Sequence, residues 1–162
     1  MITLGIDPGV TGALAVYDGQ NVRCFDMPFL ILKKGKSEKR RIDRATLFDL
    51  VAKIAGAGVN LAAVEDVGGV MGQSASASAI FGKSAGYVEM AVIGNRIPIL
   101  DVPPATWKGA FRLKGGKDAS RALASNLIPA GRHFWTRKCD DGRAESALLA
   151  LYAYRQLSAP AP

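Results

Sequence analysis

Residues 2–7, 12–18 and 21–27 are three short apolar runs crowded into the start of the chain, and this crowding restricts the fold most. A glycine turn parts the first two and Asp18-Gly19 parts the last two. An Asp-Gly pair between apolar runs signals a hairpin, so three consecutive antiparallel strands are expected. Between them and the next strand, Asp43 can cap a helix over 44–56 with Leu47, Leu50, Val51 and Ile54 on one face. LAAVEDV (61–67) and IPILDV (97–102) read as two further buried strands, separated by a long helix that Ser74 can cap and that runs to about Ile93. Its small residues would permit a close subunit contact. Short helices near 105–111 and 117–127 and a last one over about 141–157 complete the series. The order βββ-α-β-α-β-α fits an α/β fold with one mixed sheet covered by helices. A single domain is expected over 1–157, with 158–162 as a frayed tail. Residues 28–41 read as a basic loop.

The 162 residues are 49% hydrophobic and 22% charged, which suits a folded soluble protein with a core of its own. No segment resembles a membrane span, and MITLGID lacks the basic n-region of a signal peptide. A cytoplasmic location is therefore expected. Cys24 and Cys139 have no CxxC partners and read as reduced thiols. Net charge is +7, from 21 basic and 14 acidic residues, and a polyanion is the natural partner. Lys33, Lys34, Lys36, Lys39, Arg40 and Arg41 are opposed locally only by Glu38. That run alone reads equally as a solvated loop or a phosphate-binding one. Lys108, Arg112, Lys114 and Lys117, then Arg132, Arg137, Lys138 and Arg143, tilt the balance toward phosphate.

Two of the apolar strands end in acid, at Asp7 and at Glu65. If those strands are parallel neighbours, the two carboxylates leave the sheet at one edge with backbones about 5 Å apart. Bare, one of them would have to take up a proton; a divalent cation lets both stay ionised. The last helix adds Asp141 and Glu145, four apart and on one face, whereas Asp140 points elsewhere. Four oxygen ligands without His or Cys favour Mg²⁺, with Mn²⁺ as a substitute. Two ions about 4 Å apart could activate water and steady the leaving oxygen of a phosphodiester, which is nuclease chemistry. Each acid also has an ordinary reading: Asp7 as a turn former, Glu65 as a strand terminator, Asp141 as a helix N-terminal anion. Asp101 is taken as structural. His133 reads as a polar loop residue or a proton shuttle, and Trp107 as a buried core residue or a base-stacking one.

GIDPGVTGALAV (5–16), AVEDV (63–67), SASASAIFGKSAG (74–86), PATWK (104–108) and DGRAESALLA (141–150), in this order, resemble the RuvC family of Holliday junction resolvases within the RNase H-like superfamily, its phage-type members above all. The resemblance implies a five-stranded sheet of three antiparallel and two parallel strands. It implies that Asp7, Glu65 and the acids of the last helix bind the catalytic metal. It also implies that Lys108 and Lys117, or Lys114, contact DNA near the cleaved phosphate, and that the protein is a homodimer nicking opposed strands of a four-way junction. An aromatic wedge frequent in the family is replaced here by Gly68. The opening motif is also similar to that of sugar kinases and actin-like ATPases, but those need a second related domain. The nearer rivals are an RNase H-like nuclease acting on RNA or other branched DNA, and a non-catalytic nucleic-acid-binding module.

Overall fold

The computed structural model describes residues 1–35, 37–66 and 74–159. Among these, the chain runs β1 (Thr3–Ile6), β2 (Ala13–Tyr17), β3 (Val22–Asp26), β4 (Phe29–Lys34), β5 (Ser37–Ile42), α1 (Arg44–Ala55), β6 (Leu61–Glu65), α2 (Ala75–Gly94), β7 (Ile99–Val102), α3 (Pro104–Ala110), α4 (Lys117–Leu127) and α5 (Asp141–Ser158). Two 3₁₀ turns, Pro129–Phe134 and Lys138–Asp140, link α4 to α5. The main sheet has the order β3-β2-β1-β6-β7. β1 and β3 pair antiparallel with β2, whereas β6 pairs parallel with β1 and β7 parallel with β6, which is the expected mixed sheet. Asp43 caps α1 by accepting from the Thr46 amide, and Ser74 caps α2 through Ala77. No helix among the described residues is long and apolar enough to cross a membrane. Gly68 and the last three residues of the expected tail, 160–162, lie outside the described residues.

One expectation is corrected. The segment read as a basic loop over 28–41 is a separate two-stranded sheet, with β4 and β5 paired antiparallel from Phe29 opposite Ile42 to Lys34 opposite Ser37. Leu30 faces Arg41, Ile31 faces Arg40 and Leu32 faces Lys39 across the ladder. Long basic side chains can lay their stems along apolar neighbours and keep their charged ends in water, so a cationic run can hold a strand. Gly35, at φ 60°, supplies the left-handed turn between them.

The main sheet is covered on both faces. Leu4, Ile6 and Val64 face α1 and α2, where Leu47, Val51, Val88 and Val92 are buried. On the other face Ala15, Ala63, Trp107, Ala124 and Trp135 share a buried cluster with Leu148 of α5. Each fully buried aliphatic chain contributes about 2 kcal/mol.

The position of α5 decides the site. A Cβ on Gly5 would lie 2.0 Å from the Ser146 carbonyl oxygen and 2.3 Å from the Ala150 nitrogen, so α5 rests directly on the β1 backbone. One strand position earlier along the same face, the Thr3 hydroxyl donates to the Ala150 carbonyl at 2.8 Å. One position later, a Cβ on Gly142 would lie 3.2 Å from Asp7 Oδ2. Thr3, Gly5 and Asp7 thus meet Ala150, Ser146 and Gly142 in turn. Two strand residues span about 6.6 Å and four helix residues about 6.0 Å, so the two repeats keep step when the elements run in opposite directions.

Candidate active site

That register carries the start of α5 to the acidic end of the sheet. Ile6 pairs with Val64 in the parallel ladder, so Asp7 and Glu65 follow side by side at the ends of β1 and β6. Asp141 is the first residue of α5, and Glu145 follows one turn later on the same face. A Cβ on Gly142 would also lie 3.0 Å from the Thr11 carbonyl oxygen, so a larger residue there would push the helix off Asp7. The start of α5 is anchored laterally by ion pairs. Arg143 donates from Nε and Nη2 to Asp26 at the end of β3, both at 2.6 Å, and from Nη1 to the Phe134 carbonyl at 3.1 Å. Asp140 is buried and accepts from Arg137 through both its guanidinium and its backbone amide, so its charge is taken up by Arg137.

Each of the four carboxylates has its own local partner. Asp7 Oδ1 accepts from the Gly9 amide at 3.1 Å, and Glu65 Oε1 from the Trp107 indole Nε1 at 2.9 Å. Glu145 Oε1 accepts from the Ser120 hydroxyl at 3.0 Å and lies 3.9 Å from Lys108 Nζ. Asp141 Oδ2 is held by Lys117 Nζ at 2.5 Å. Burial pushes the Asp7 carboxyl up to about 6; the Gly9 amide opposes this, and the charges of Glu65, Glu145 and Asp141 add to it. Burial likewise raises Glu65, against the hydrogen bond from Trp107 and with help from Glu145. The bond to Asp141 raises Lys117, keeping its ammonium charged.

The four side chains therefore share one electrostatic field with too little positive charge to balance it. Among the described residues, no three such side chains converge closely enough to hold one ion between them as they stand. Each acid is held instead by donors of its own, Glu65 by Trp107, Glu145 by Ser120 and Lys108, and Asp141 by Lys117. An all-oxygen donor set with surplus negative charge fits a hard divalent cation such as Mg²⁺ or Mn²⁺, which would replace the lysines as countercharge.

Trp107 is fully buried, which corrects the stacking alternative; its indole positions Glu65 instead. Lys114 is exposed near the start of α4. Lys33, Lys39 and Arg40 are exposed on the β4–β5 hairpin, where Lys33 meets Glu38 at 3.5 Å. Arg41 is half-buried, Lys34 ends β4, and Lys36 lies outside the described residues. His133 is exposed with its ring 4.1 Å from that of Phe134, and Asp101 is exposed on β7. Ser120, Gly5, Gly142 and the Asp26–Arg143 pair were not read from the sequence. For the glycines a signal exists, since a glycine inside a strand or in the first turn of a helix marks close approach. Ser120 carries none.

A cleft of about 460 Å³ adjoins Asp141 and Lys117 and opens toward the hairpin. A larger cavity, about 800 Å³, lies between the hairpin and α2 and contains none of the four acids, so size does not mark the chemistry here. No family model and no curated protein matches this sequence. Solved structures do. RuvC of T. thermophilus in complex with Holliday junction substrate matches with a TM-score of 0.67 and 15% identity, covering 98% of this chain and 96% of that one. This chain shares the fold of RuvC. A second structure, of Thermus thermophilus RuvC, matches at a TM-score of 0.57 and 18% identity over 96% of this chain and 97% of RuvC. RuvC's α/β architecture thus spans the chain almost end to end.

Proposed function

We propose that the protein is a metal-dependent, structure-selective endodeoxyribonuclease that resolves four-way DNA junctions by paired nicks. One observation carries this reading: α5, seated on Gly5, delivers Asp141 and Glu145 to the strand ends that bear Asp7 and Glu65. Four acids in a basic protein, with two lysines already resting on them, form a site for a cation and a phosphate together. The likeness to a RuvC structure that contains a Holliday junction substrate supports branched DNA as the ligand.

In this reading Asp7, Glu65, Asp141 and Glu145 would hold two Mg²⁺ ions, with Mn²⁺ able to substitute. The ions would supply an activated water and stabilisation of the leaving oxygen. Trp107 keeps Glu65 aimed into the site, and Ser120 does the same for Glu145. Lys117 and Lys108, released from the carboxylates, turn their charge to the scissile phosphate, with Lys114 beside them. Lys33, Lys34, Lys36, Lys39, Arg40 and Arg41 grip the flanking backbone, where each neutralised phosphate adds affinity that salt removes.

The finer reading is a phage-type RuvC-like enzyme of the RNase H-like superfamily, one nuclease domain over 1–157, working in the cytoplasm as a homodimer. Exposed Met90 and Ile93 on α2, 62% and 46% accessible, support a subunit contact on that helix. The test offers synthetic four-way junctions, flaps, duplexes and RNA–DNA hybrids with Mg²⁺ and maps the nicks. Symmetric paired nicks confined to junctions are expected. Preferential hybrid cutting would move the activity to RNA, and tight binding with no cutting would leave a non-catalytic module.

A further inference from the structure

We infer that the cleft between Phe29 and Asp141 receives one unpaired nucleobase next to the scissile phosphate, with Phe29 and Arg40 as its stacking platform. The inference rests on the nuclease reading above and adds a base-recognition site to it.

Phe29 belongs to neither buried core and is 39% exposed at the root of the hairpin. The Arg40 guanidinium carbon lies 4.6 Å from its ring centroid, so the ring carries a cation on its face. Both residues line the 460 Å³ cleft whose other end holds Lys117 and Asp141. The acids of that cleft are already neutralised: Asp26 by Arg143, Asp140 by Arg137 and Asp141 by Lys117. Among the described residues, no carboxylate pairs with Arg40. A flat π surface backed by a guanidinium that no carboxylate neutralises at one end, with the Lys117 ammonium at the other, matches the two halves of a nucleotide. The volume falls within the range of small-ligand sites, about 300–1,000 Å³, which leaves room for a single base. Aromatic and arginine stacking tolerates every base, so the platform would open the strand without dictating its sequence.

The test places 2-aminopurine, one position at a time, around the nicked phosphate of a junction. Binding is followed with full-length Asp7→Asn protein, so that no strand is cut, and single-turnover cleavage is followed in the Asp7-containing protein with Mg²⁺. Phe29 is replaced by Ala, Leu and Trp in both. The expected result is an emission change at a single nucleotide, lost in Phe29→Ala and Phe29→Leu and kept in Phe29→Trp. Cleavage should fall roughly tenfold or more in the first two. Leu fills the same apolar space without a π face, so a Leu variant matching wild type in both readouts would overturn the inference while leaving the nuclease reading intact. A wild-type protein that cuts no DNA would overturn both. Since Phe29 lies outside both cores, the variants should keep the wild-type melting temperature.

Discussion

The carboxylate cleft and the β4–β5 hairpin place charge in opposite ways. In the cleft, anions sit on the ends of buried strands and the first turns of α5, each held by a named donor, with Glu65 only 7% exposed. On the hairpin, cations stand in water, and the Lys33–Glu38 pair joins side chains 74% and 59% exposed. Exposed pairs of that kind contribute little, about 0–1 kcal/mol. The cleft spends folding energy to fix four charges in one place. The hairpin sets Arg40 over Phe29 and leaves Lys33 and Lys39 in water. The proposed nuclease would use both, since bond cleavage demands rigid placement and a branched substrate demands an adaptable grip.

The sharpest way to break the contrast is Asp7→Asn. It should lower Mg²⁺-dependent junction cleavage by about a thousandfold, equivalent to the several kcal/mol of charge stabilisation a metal supplies, while junction binding persists. Cleavage at the wild-type rate would remove the cleft from the chemistry. Next comes Gly5→Ala, whose Cβ would meet the Ser146 carbonyl oxygen at 2.0 Å. Lifting α5 should cost about 3 kcal/mol, roughly 10 °C in melting temperature, and should reduce cleavage as well. Unchanged stability and rate would contradict the seating of α5 on β1.

A pH profile tests the same rigidity without mutation. Asp7 binds its proton more tightly when folded, at about 6 against an ordinary 3.8. Raising the pH through that interval therefore strips stability from the metal-free protein, up to about 3 kcal/mol, and the loss is complete above the folded value. Calorimetry should show melting temperature falling over that window, a flatter profile in Asp7→Asn, and a larger gain on adding Mg²⁺ at neutral than at acid pH. An Asp7→Asn profile as steep as wild type would assign the titration elsewhere. Trp107→Phe keeps the buried ring but removes the donor to Glu65. Cleavage should drop about tenfold and stability by about 1–3 kcal/mol. The smallest effect belongs to the hairpin. Lys39→Ala should weaken junction binding roughly threefold and lower the slope of log affinity against log salt by about one. An altered metal requirement in that variant would instead tie the hairpin to the cleft.

How much of this could be read in advance follows from the same contrast. Strands β1 and β6 announced themselves as apolar runs closed by acid, and the four-residue spacing of Asp141 and Glu145 placed both on one helix face. Asp43 and Ser74 marked the helix starts because capping is a local event. The hairpin stayed hidden because its β-ladder pairs an apolar strand with a cationic one, so neither alternation nor composition reports it; only Gly35 between two runs hinted at a turn. Ser120 and the Asp26–Arg143 pair were invisible for another reason. Their roles exist only after α4 and β3 have packed against α5, and no short-range pattern encodes that contact. Trp107 stood between two readings until its burial and its bond to Glu65 decided the matter.

In the proposed enzyme these carboxylates gather around hard cations once the lysines let go. Crystals grown with Mn²⁺ and measured at its absorption edge test it most directly. Anomalous peaks are expected about 2.1 Å from oxygens of Asp7, Glu65 and the α5 acids, with Lys117 withdrawn from Asp141. Peaks absent from the cleft, with Lys117 still seated on Asp141, would contradict it.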